Sequence, residues 1–184
     1  MTIKEQKSVL RKSLKIKRND LIQSGKKALL DKKVYENLLK SDILNEYDVF
    51  LCYVSAEIEV DTIEFINLCF DKGKTLAVPR CTPDEMTFYV IESFEDIGIG
   101  MYGIREPLEH CRLLTEKEIA ESLCIVPALA YNKSGYRIGY GKGYYDKFIS
   151  KYKCNTLGLC YSDFILKDIP TDEFDKRIDK VITD

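Results

Sequence analysis

The chain has 184 residues, 45% of them apolar and 32% charged, with 10 Gly and 5 Pro. That length suits one domain, 1–184, and the composition excludes a mainly disordered, collagen-like or low-complexity chain. The net charge of −2 gives no whole-molecule field for nucleic acid or membrane, and a single histidine, His110, excludes mechanisms that need two in one chain.

The charge is uneven: the first 40 residues carry 12 Lys+Arg against 4 Asp+Glu, so the remainder is acidic. Residues 3–23 predict a helix with Val9, Leu10, Leu14, Ile16 and Leu21 as its apolar positions. Gly25 breaks it, and residues 26–40 predict a second helix, so the chain opens on a helical hairpin. Residues 47–55 form a continuous β-rich apolar run, as in a buried strand. Asp61 can cap a helix reaching about Lys72, with Gly73 just past its end. Two strands follow, 75–78 stopped by Pro79, and 86–91. Residues 94–114 hold three glycines without a clear period and read as loop. Thr115-x-x-Glu118 is a capping box for a short helix, 123–126 a buried strand ended by Pro127. A glycine-rich segment, 135–143, runs into a helix at 144–152, and 156–161 and 180–183 are late strands. Strands alternating with helices predict a single-domain α/β fold with a mostly parallel twisted sheet flanked by helices, a Rossmann-like three-layer arrangement behind the hairpin.

Seven cysteines occur with no Cys-x-x-Cys, several inside apolar runs. They read as small buried hydrophobes in a reducing compartment, not as disulfides or a zinc site. No apolar run approaches a membrane span and no signal peptide is evident, so a cytoplasmic protein is expected.

The most informative stretch is Val126-Pro-Ala-Leu-Ala-Tyr-Asn-Lys-Ser-Gly-Tyr-Arg-Ile-Gly-Tyr-Gly-Lys-Gly-Tyr-Tyr-Asp146. A buried strand feeds a loop that feeds a helix, the place where open α/β sheets bind ligands. Gly139, Gly141 and Gly143 let backbone N–H groups approach an anion, and the helix N-terminus adds partial positive charge. Arg137 and Lys142 supply full charges suited to phosphate, and Asp146 an oxygen ligand for Mg²⁺. Neither a Walker A loop nor a dinucleotide fingerprint is present. By spacing alone, the segment is either a phosphate cradle or a flexible glycine-rich turn.

Arg137-Ile-Gly-Tyr-Gly-Lys-Gly-Tyr-Tyr-Asp146 closely resembles the signature of the 5-formyltetrahydrofolate cyclo-ligase (methenyltetrahydrofolate synthetase) family. Weaker pieces follow the family's order: Lys7-Ser-Val-Leu-Arg11, Glu57-Ile-Glu-Val-Asp-Thr62, Val78-Pro-Arg80 with Met86-x-Phe88, Tyr102-Gly-Ile-Arg-Glu-Pro107 and Asp175-x-x-Ile-Asp179. The resemblance spans about residues 4–183. Asn132 stands where the family often has Asp, Ile138 where Leu is common, and Cys52 where another apolar residue is usual.

The resemblance implies ATP- and Mg²⁺-dependent conversion of 5-formyltetrahydrofolate, polyglutamylated or not, to 5,10-methenyltetrahydrofolate, with ADP and phosphate released. The substrate's own N10 is the nucleophile, which suits a chain with one histidine. Carried over residue by residue, Lys7, Arg11, Arg137, Gly139, Gly141, Lys142, Gly143 and Tyr145 bind ATP, with Arg137 and Lys142 also catalytic. Cys52, Glu57, Tyr102, Glu106 and Tyr144 belong to the folate side, and Asp146 and Asp175 hold Mg²⁺. Without the resemblance, Lys7 and Arg11 read as a solvated basic face and Asp175 as a surface acid. Glu57 then reads as a cap, the tyrosines as packing, and Tyr102 and Glu106 as a turn. His110 and the cysteines are expected to be structural, and the protein to act as a monomer without nucleic acid or membrane. The rival readings are another α/β enzyme acting on a phosphorylated small molecule, and a non-catalytic nucleotide- or folate-binding protein.

Overall fold

A computed structural model describes residues 1–100 and 103–184. Helices α1 (Ile3–Gln23) and α2 (Lys27–Leu39) form the hairpin, followed by a single turn, α3 (Ile43–Glu46). The main sheet holds β1 (Val49–Leu51), β2 (Thr75–Cys81), β3 (Met86–Ile91), β6 (Leu123–Val126), β9 (Asn155–Leu159) and β11 (Lys180–Ile182). Helix α4 (Ile63–Asp71) crosses from β1 to β2, and α5 (Glu116–Ala120) precedes β6. Strands β4 (Ile97–Ile99) and β5 (Arg105–Pro107) pair as a small antiparallel ribbon. Strands β7 (Ala130–Asn132), β8 (Arg137–Ile138) and β10 (Ile165–Leu166) make a three-stranded sheet leading to α6 (Tyr144–Lys151).

The main sheet runs β11-β9-β6-β1-β2-β3 and is parallel except for the β2–β3 pair. β1 has β2 on one side and β6 on the other, so the chain order reverses between β1 and β6, at the sheet's topological switch point. In open α/β sheets the crevice at that point binds ligands. Phe50, Leu51, Cys124, Ile125 and Val126 are fully enclosed at the centre of the sheet. Phe65 of α4 meets Phe50 edge-on at 5.3 Å between ring centres, and Phe148 of α6 lies 4.9 Å from Phe88 of β3.

Several elements differ from the sequence-based expectation. β1 is three residues long instead of nine: Cys52 N still donates to Ala77 O at 2.9 Å, and the chain leaves the sheet beyond it. Pro79 does not stop β2: pairing with β1 ends at Ala77, so beyond it one side of β2 is an edge where a missing N–H costs no ladder bond. The 94–114 segment, expected as loop, contains a 3₁₀ turn and the β4–β5 ribbon. The capping box is as expected, with Thr115 Oγ1 accepting from Glu118 N at 3.3 Å and Glu118 Oε2 accepting from Thr115 N at 2.8 Å. The N-cap of α4 is Thr62, not Asp61, which sits one residue earlier and accepts from Ile63 N at 2.9 Å.

Helix α1 departs most. Val9 and Ile16 are 58% and 61% exposed, while Lys7, Leu14 and Arg18 are buried. Periodicity finds apolar stripes, but here the buried stripe carries cations that find carboxylates and carbonyls across the interface. All seven cysteines are free, and only Cys81 and Cys154 are half-buried. No helix among the described residues is long and apolar enough to cross a membrane.

Candidate active site

The loop after β6 enters the β7–β8 hairpin, whose turn is fixed by Asn132. Its Oδ1 accepts from Ser134 N at 3.0 Å and Tyr136 N at 2.9 Å. Gly135 has φ +84°, and a Cβ there would lie 2.3 Å from the Ile178 carbonyl oxygen. Only glycine lets this turn sit against 176–178, where Ile178 N donates to Gly135 O at 2.9 Å. Arg137, on β8, is buried and tightly held. It donates to Lys176 O at 3.0 Å and pairs with Asp146 Oδ1 at 3.0 Å. The same Asp146 oxygen accepts from Lys176 N at 3.0 Å, which sets Asp146 next to the residue following Asp175.

Helix α1 lies over the loop. Arg11 donates from Nε to Gly139 O at 2.9 Å, and a Cβ at Gly141 would sit 3.3 Å from the Arg11 guanidinium carbon. A Cβ at Gly139 or Gly143 would meet nothing within 4 Å, so space is open beside both backbones. Gly143, at φ +70°, opens α6, and Lys142 is exposed at its threshold. The Lys7 ammonium bonds Asp172 at 2.7 Å and Asp175 at 2.5 Å. Burial alone disfavours that ammonium, but the two carboxylates outweigh it and its pKa rises, while Lys7 holds the Asp172 carboxyl below its ordinary value.

A second group sits where the loops from β1 and β6 converge. The Glu59 carboxylate accepts from Ala56 N at 2.7 Å and lies beside the Tyr140 hydroxyl. Burial pushes the Glu59 carboxyl above its usual range, and burial with the Glu59 charge pushes the Tyr140 phenol up. The Tyr145 hydroxyl, within electrostatic reach of Glu59 and Cys52, is buried with no hydrogen-bond partner among the described residues. A buried hydroxyl without a partner is costly, which makes this space a candidate for a polar ligand.

The residues expected from sequence therefore fall into three sets. Lys7, Arg11, Arg137, Gly139, Gly141, Lys142, Gly143, Asp146 and Asp175 gather around one loop. Cys52, fully enclosed, and Tyr145 lie near the Glu59–Tyr140 pair, while Tyr144 fastens α6 to the β2–β3 turn through Thr82 O at 2.7 Å. Glu57 is exposed and lines a cleft of about 520 Å³ with Lys27 and Arg105, and Glu106 is buried against Cys81 N at 3.2 Å. Tyr102 lies outside the described residues. Sequence reasoning passed over Glu59, Tyr140, Asp172 and Arg18. Of these, only Arg18 had a local signal, its spacing of seven from Arg11 along one helix face.

The profile described as the 5-formyltetrahydrofolate cyclo-ligase family matches residues 3–184. The chain belongs to the 5-formyltetrahydrofolate cyclo-ligase family. A probable 5-formyltetrahydrofolate cyclo-ligase of Schizosaccharomyces pombe is 34% identical over 140 residues, covering 68% of this chain and 69% of that protein. One from Caenorhabditis elegans is 27% identical, covering 98% and 93%. The structure of 5,10-methenyltetrahydrofolate synthetase from Aquifex aeolicus superposes with a TM-score of 0.80 at 29% identity, over 97% of this chain and 89% of that one. A synthetase from Mycoplasma pneumoniae shares the fold, with a TM-score of 0.77 at 22% identity over 97% and 98%. The cyclo-ligase family is one of ligases, so this chain is a ligase with the glycine loop and the switch-point crevice side by side.

Proposed function

We propose that this ligase couples ATP cleavage to ring closure of 5-formyltetrahydrofolate, giving 5,10-methenyltetrahydrofolate, ADP and phosphate. The observation that carries this reading is the convergence of α1 on the glycine loop more than 120 residues away, Arg11 on Gly139 and Lys7 on the adjoining 172–175 segment. Cations, open glycine backbones and a helix N-terminus together suit a polyphosphate. The partly buried Glu59–Tyr140 pair, with the Tyr145 hydroxyl beside it, suits a flat ring bearing hydrogen-bond donors and acceptors.

A formamide oxygen is a poor leaving group. Transfer of the γ-phosphoryl to that oxygen, with ADP leaving, forms an iminium phosphate at N5. N10 attacks the formyl carbon and loses its proton; the C–O bond to phosphate breaks and the methenyl bridge remains. Both bond-making partners belong to the substrates, so the protein positions them and stabilises charge. Lys142, exposed at the α6 threshold, supplies charge to the transferring phosphoryl group. Gly139, Gly141 and Gly143 give the polyphosphate close access to the backbone. Arg137 acts from behind the loop, because its fork is committed to Asp146 and Lys176 O.

Asp146 and Asp175 provide hard carboxylate oxygens of the kind Mg²⁺ prefers, and the Asp146–Lys176 bond holds them close together. Bound there, Mg²⁺ supplies charge neutralisation for the polyphosphate. In the protein alone, Arg137 and Lys7 neutralise those carboxylates. Nucleotide binding therefore amounts to an exchange of partners, in which Lys7 turns from Asp175 to phosphate. On the folate side, Glu59 accepts from the ring, Cys52 and Tyr145 pack beside it, and Glu57 contacts it from the exposed side of the same loop. Glu106 and Tyr144 shape the outer wall.

The deciding experiment mixes purified protein with 5-formyltetrahydrofolate and MgATP and follows the methenyl absorbance. Growth of that signal only with ATP is expected. Well-folded protein that gives none refutes the assignment.

A further inference from the structure

Arg18 is the largest fully buried side chain among the described residues, 1% exposed, and neither composition nor the proposed chemistry accounts for it. Its guanidinium carbon lies against two rings that meet each other edge-on, 4.5 Å from the centre of Tyr161 and 4.3 Å from that of Phe164. One nitrogen, Nη2, donates to Leu129 O at 3.0 Å and Ala128 O at 3.3 Å, in the loop entering β7. Nε and Nη1 have no partner among the described residues. A buried cation held this way is costly to build and is poor evidence for stability on its own.

Its position in the chain gives it a use. Lys7 and Arg11 lie eleven and seven residues before Arg18. At about 3.6 residues per turn these spacings are close to three and two turns, so all three share one face of α1. The carbonyls that Arg18 holds begin the segment that becomes the β7–β8 hairpin and then the glycine loop. Tyr161, against which it lies, donates to Asp31 at 2.6 Å and reaches the Glu59 carbonyl at 3.4 Å.

We propose that Arg18 is a positioning residue that fixes the phosphate-facing side of α1 relative to the Glu59–Tyr140 pocket, so that the two substrates meet in register. This rests on the functional reading above. The Glu59 carboxylate accepts from Ala56 N, lies beside the Tyr140 phenol, is within electrostatic reach of Tyr53 and Tyr145, and feels the cations of Arg18 and Lys27. Burial raises its pKa and Arg18 opposes that rise. Loss of the Arg18 charge therefore moves Glu59 further up, and the form able to accept from a ring is lost at a higher pH.

The test compares Arg18→Met, with no charge or N–H, and Arg18→Lys, with charge but no planar fork. One readout is kcat/KM for 5-formyltetrahydrofolate against pH. The other is the ¹³C NMR titration of the Glu59 carboxyl in the protein alone, assigned with Glu59→Gln. In Arg18→Met, both the acid limb and the Glu59 midpoint move to higher pH, and kcat/KM falls about tenfold or more. In Arg18→Lys both midpoints return toward wild type while kcat/KM stays about threefold low or lower, since the charge is back but the fork is not. An unmoved Glu59 midpoint in folded Arg18→Met overturns the proposal, as does wild-type kcat/KM in Arg18→Lys. If Arg18→Met does not fold, Arg18→Lys alone decides by the same criterion. If the wild type shows no ATP-driven cyclisation while Glu59 still moves in Arg18→Met, the positioning stands and the functional reading falls.

Discussion

At the scale of single residues, exposure separates side chains that hold the structure from those available for chemistry. Lys142 is exposed at the threshold of α6. Lys142→Ala is expected to cut turnover about a hundredfold, the order seen when one preorganised charge-stabilising donor is lost. Thermal unfolding checks that the fold survives, and wild-type turnover would remove Lys142 from the mechanism. Thr115 does structural work. Its replacement by Ala removes a cap worth about 1 kcal/mol and lowers the melting temperature by about 2–4 °C in a chain of this size. Glu118, in the same box, is bound by Arg112 at 2.7 Å, and its carboxyl is pulled down to about 2. A carboxyl lowered on folding contributes stability that is complete above its ordinary value of 4.5 and is lost as pH falls through about 2. The stability gap between wild type and Glu118→Gln is thus widest at neutral pH and closes in acid, which denaturant midpoints at several pH values can follow. Lys7 and Arg11 were legible as a same-face pair in sequence. Their ties to Asp172 and Gly139, over 120 residues away, were not, because helical periodicity carries no information about the partner across an interface.

Among the elements, the glycine-rich hairpin and loop show how a local pattern acquires a tertiary reason. Gly135 and Gly25 both have positive φ, +84° and +71°, but only Gly135 is pressed against other backbone. Gly25→Ala is expected to cost about 1 kcal/mol, the strain of the left-handed conformation alone. Gly135→Ala also drives a methyl into the Ile178 carbonyl, and a loss of about 3 kcal/mol or more is expected, with activity falling as the 176–178 clamp shifts. Equal denaturation midpoints for the two variants would show that the clamp yields. The short strands β4, β5, β7, β8 and β10 escaped sequence analysis for the same kind of reason. Each has two or three residues, too few for an alternating pattern; β4–β5 and β7–β8 are local pairs, and β10 is held by distant chain through β7. The β1 run was overestimated because residues 52–54 are as buried and apolar as a central strand while lining the crevice.

For the whole molecule, the seven thiols report on how completely the core is closed. Five are buried and Cys81 and Cys154 are half-buried; burial pushes Cys81 and Cys160 up to about 11 and Cys69 to about 12. Near pH 8 these three are almost wholly thiols, and the thiolate is the reactive form. Native protein is expected to react slowly with a disulfide reagent, first at Cys154, whose pKa is lowered by Cys124, and the denatured chain at all seven. Rapid reaction of the native thiols would mean that the sheet is not closed as described. The charge asymmetry also finds its place at this scale: part of the basic front lies in α1, facing the acidic 172–175 segment and the glycine loop.

The sequence by itself determined the α/β class, the order of the main elements, the capping of α5, the glycine loop and, through its motif, the family. These depend on local periodicity, turn chemistry and a contiguous signature, all written along the chain. Tertiary structure alone decided that α1 buries Lys7 and Arg18 in place of Val9 and Ile16, that Arg137 is spent on Asp146, and that Glu59 meets Tyr140. Each of these is settled by which charge or carbonyl lies across a packed interface, and a buried ion is stable only where its partner is.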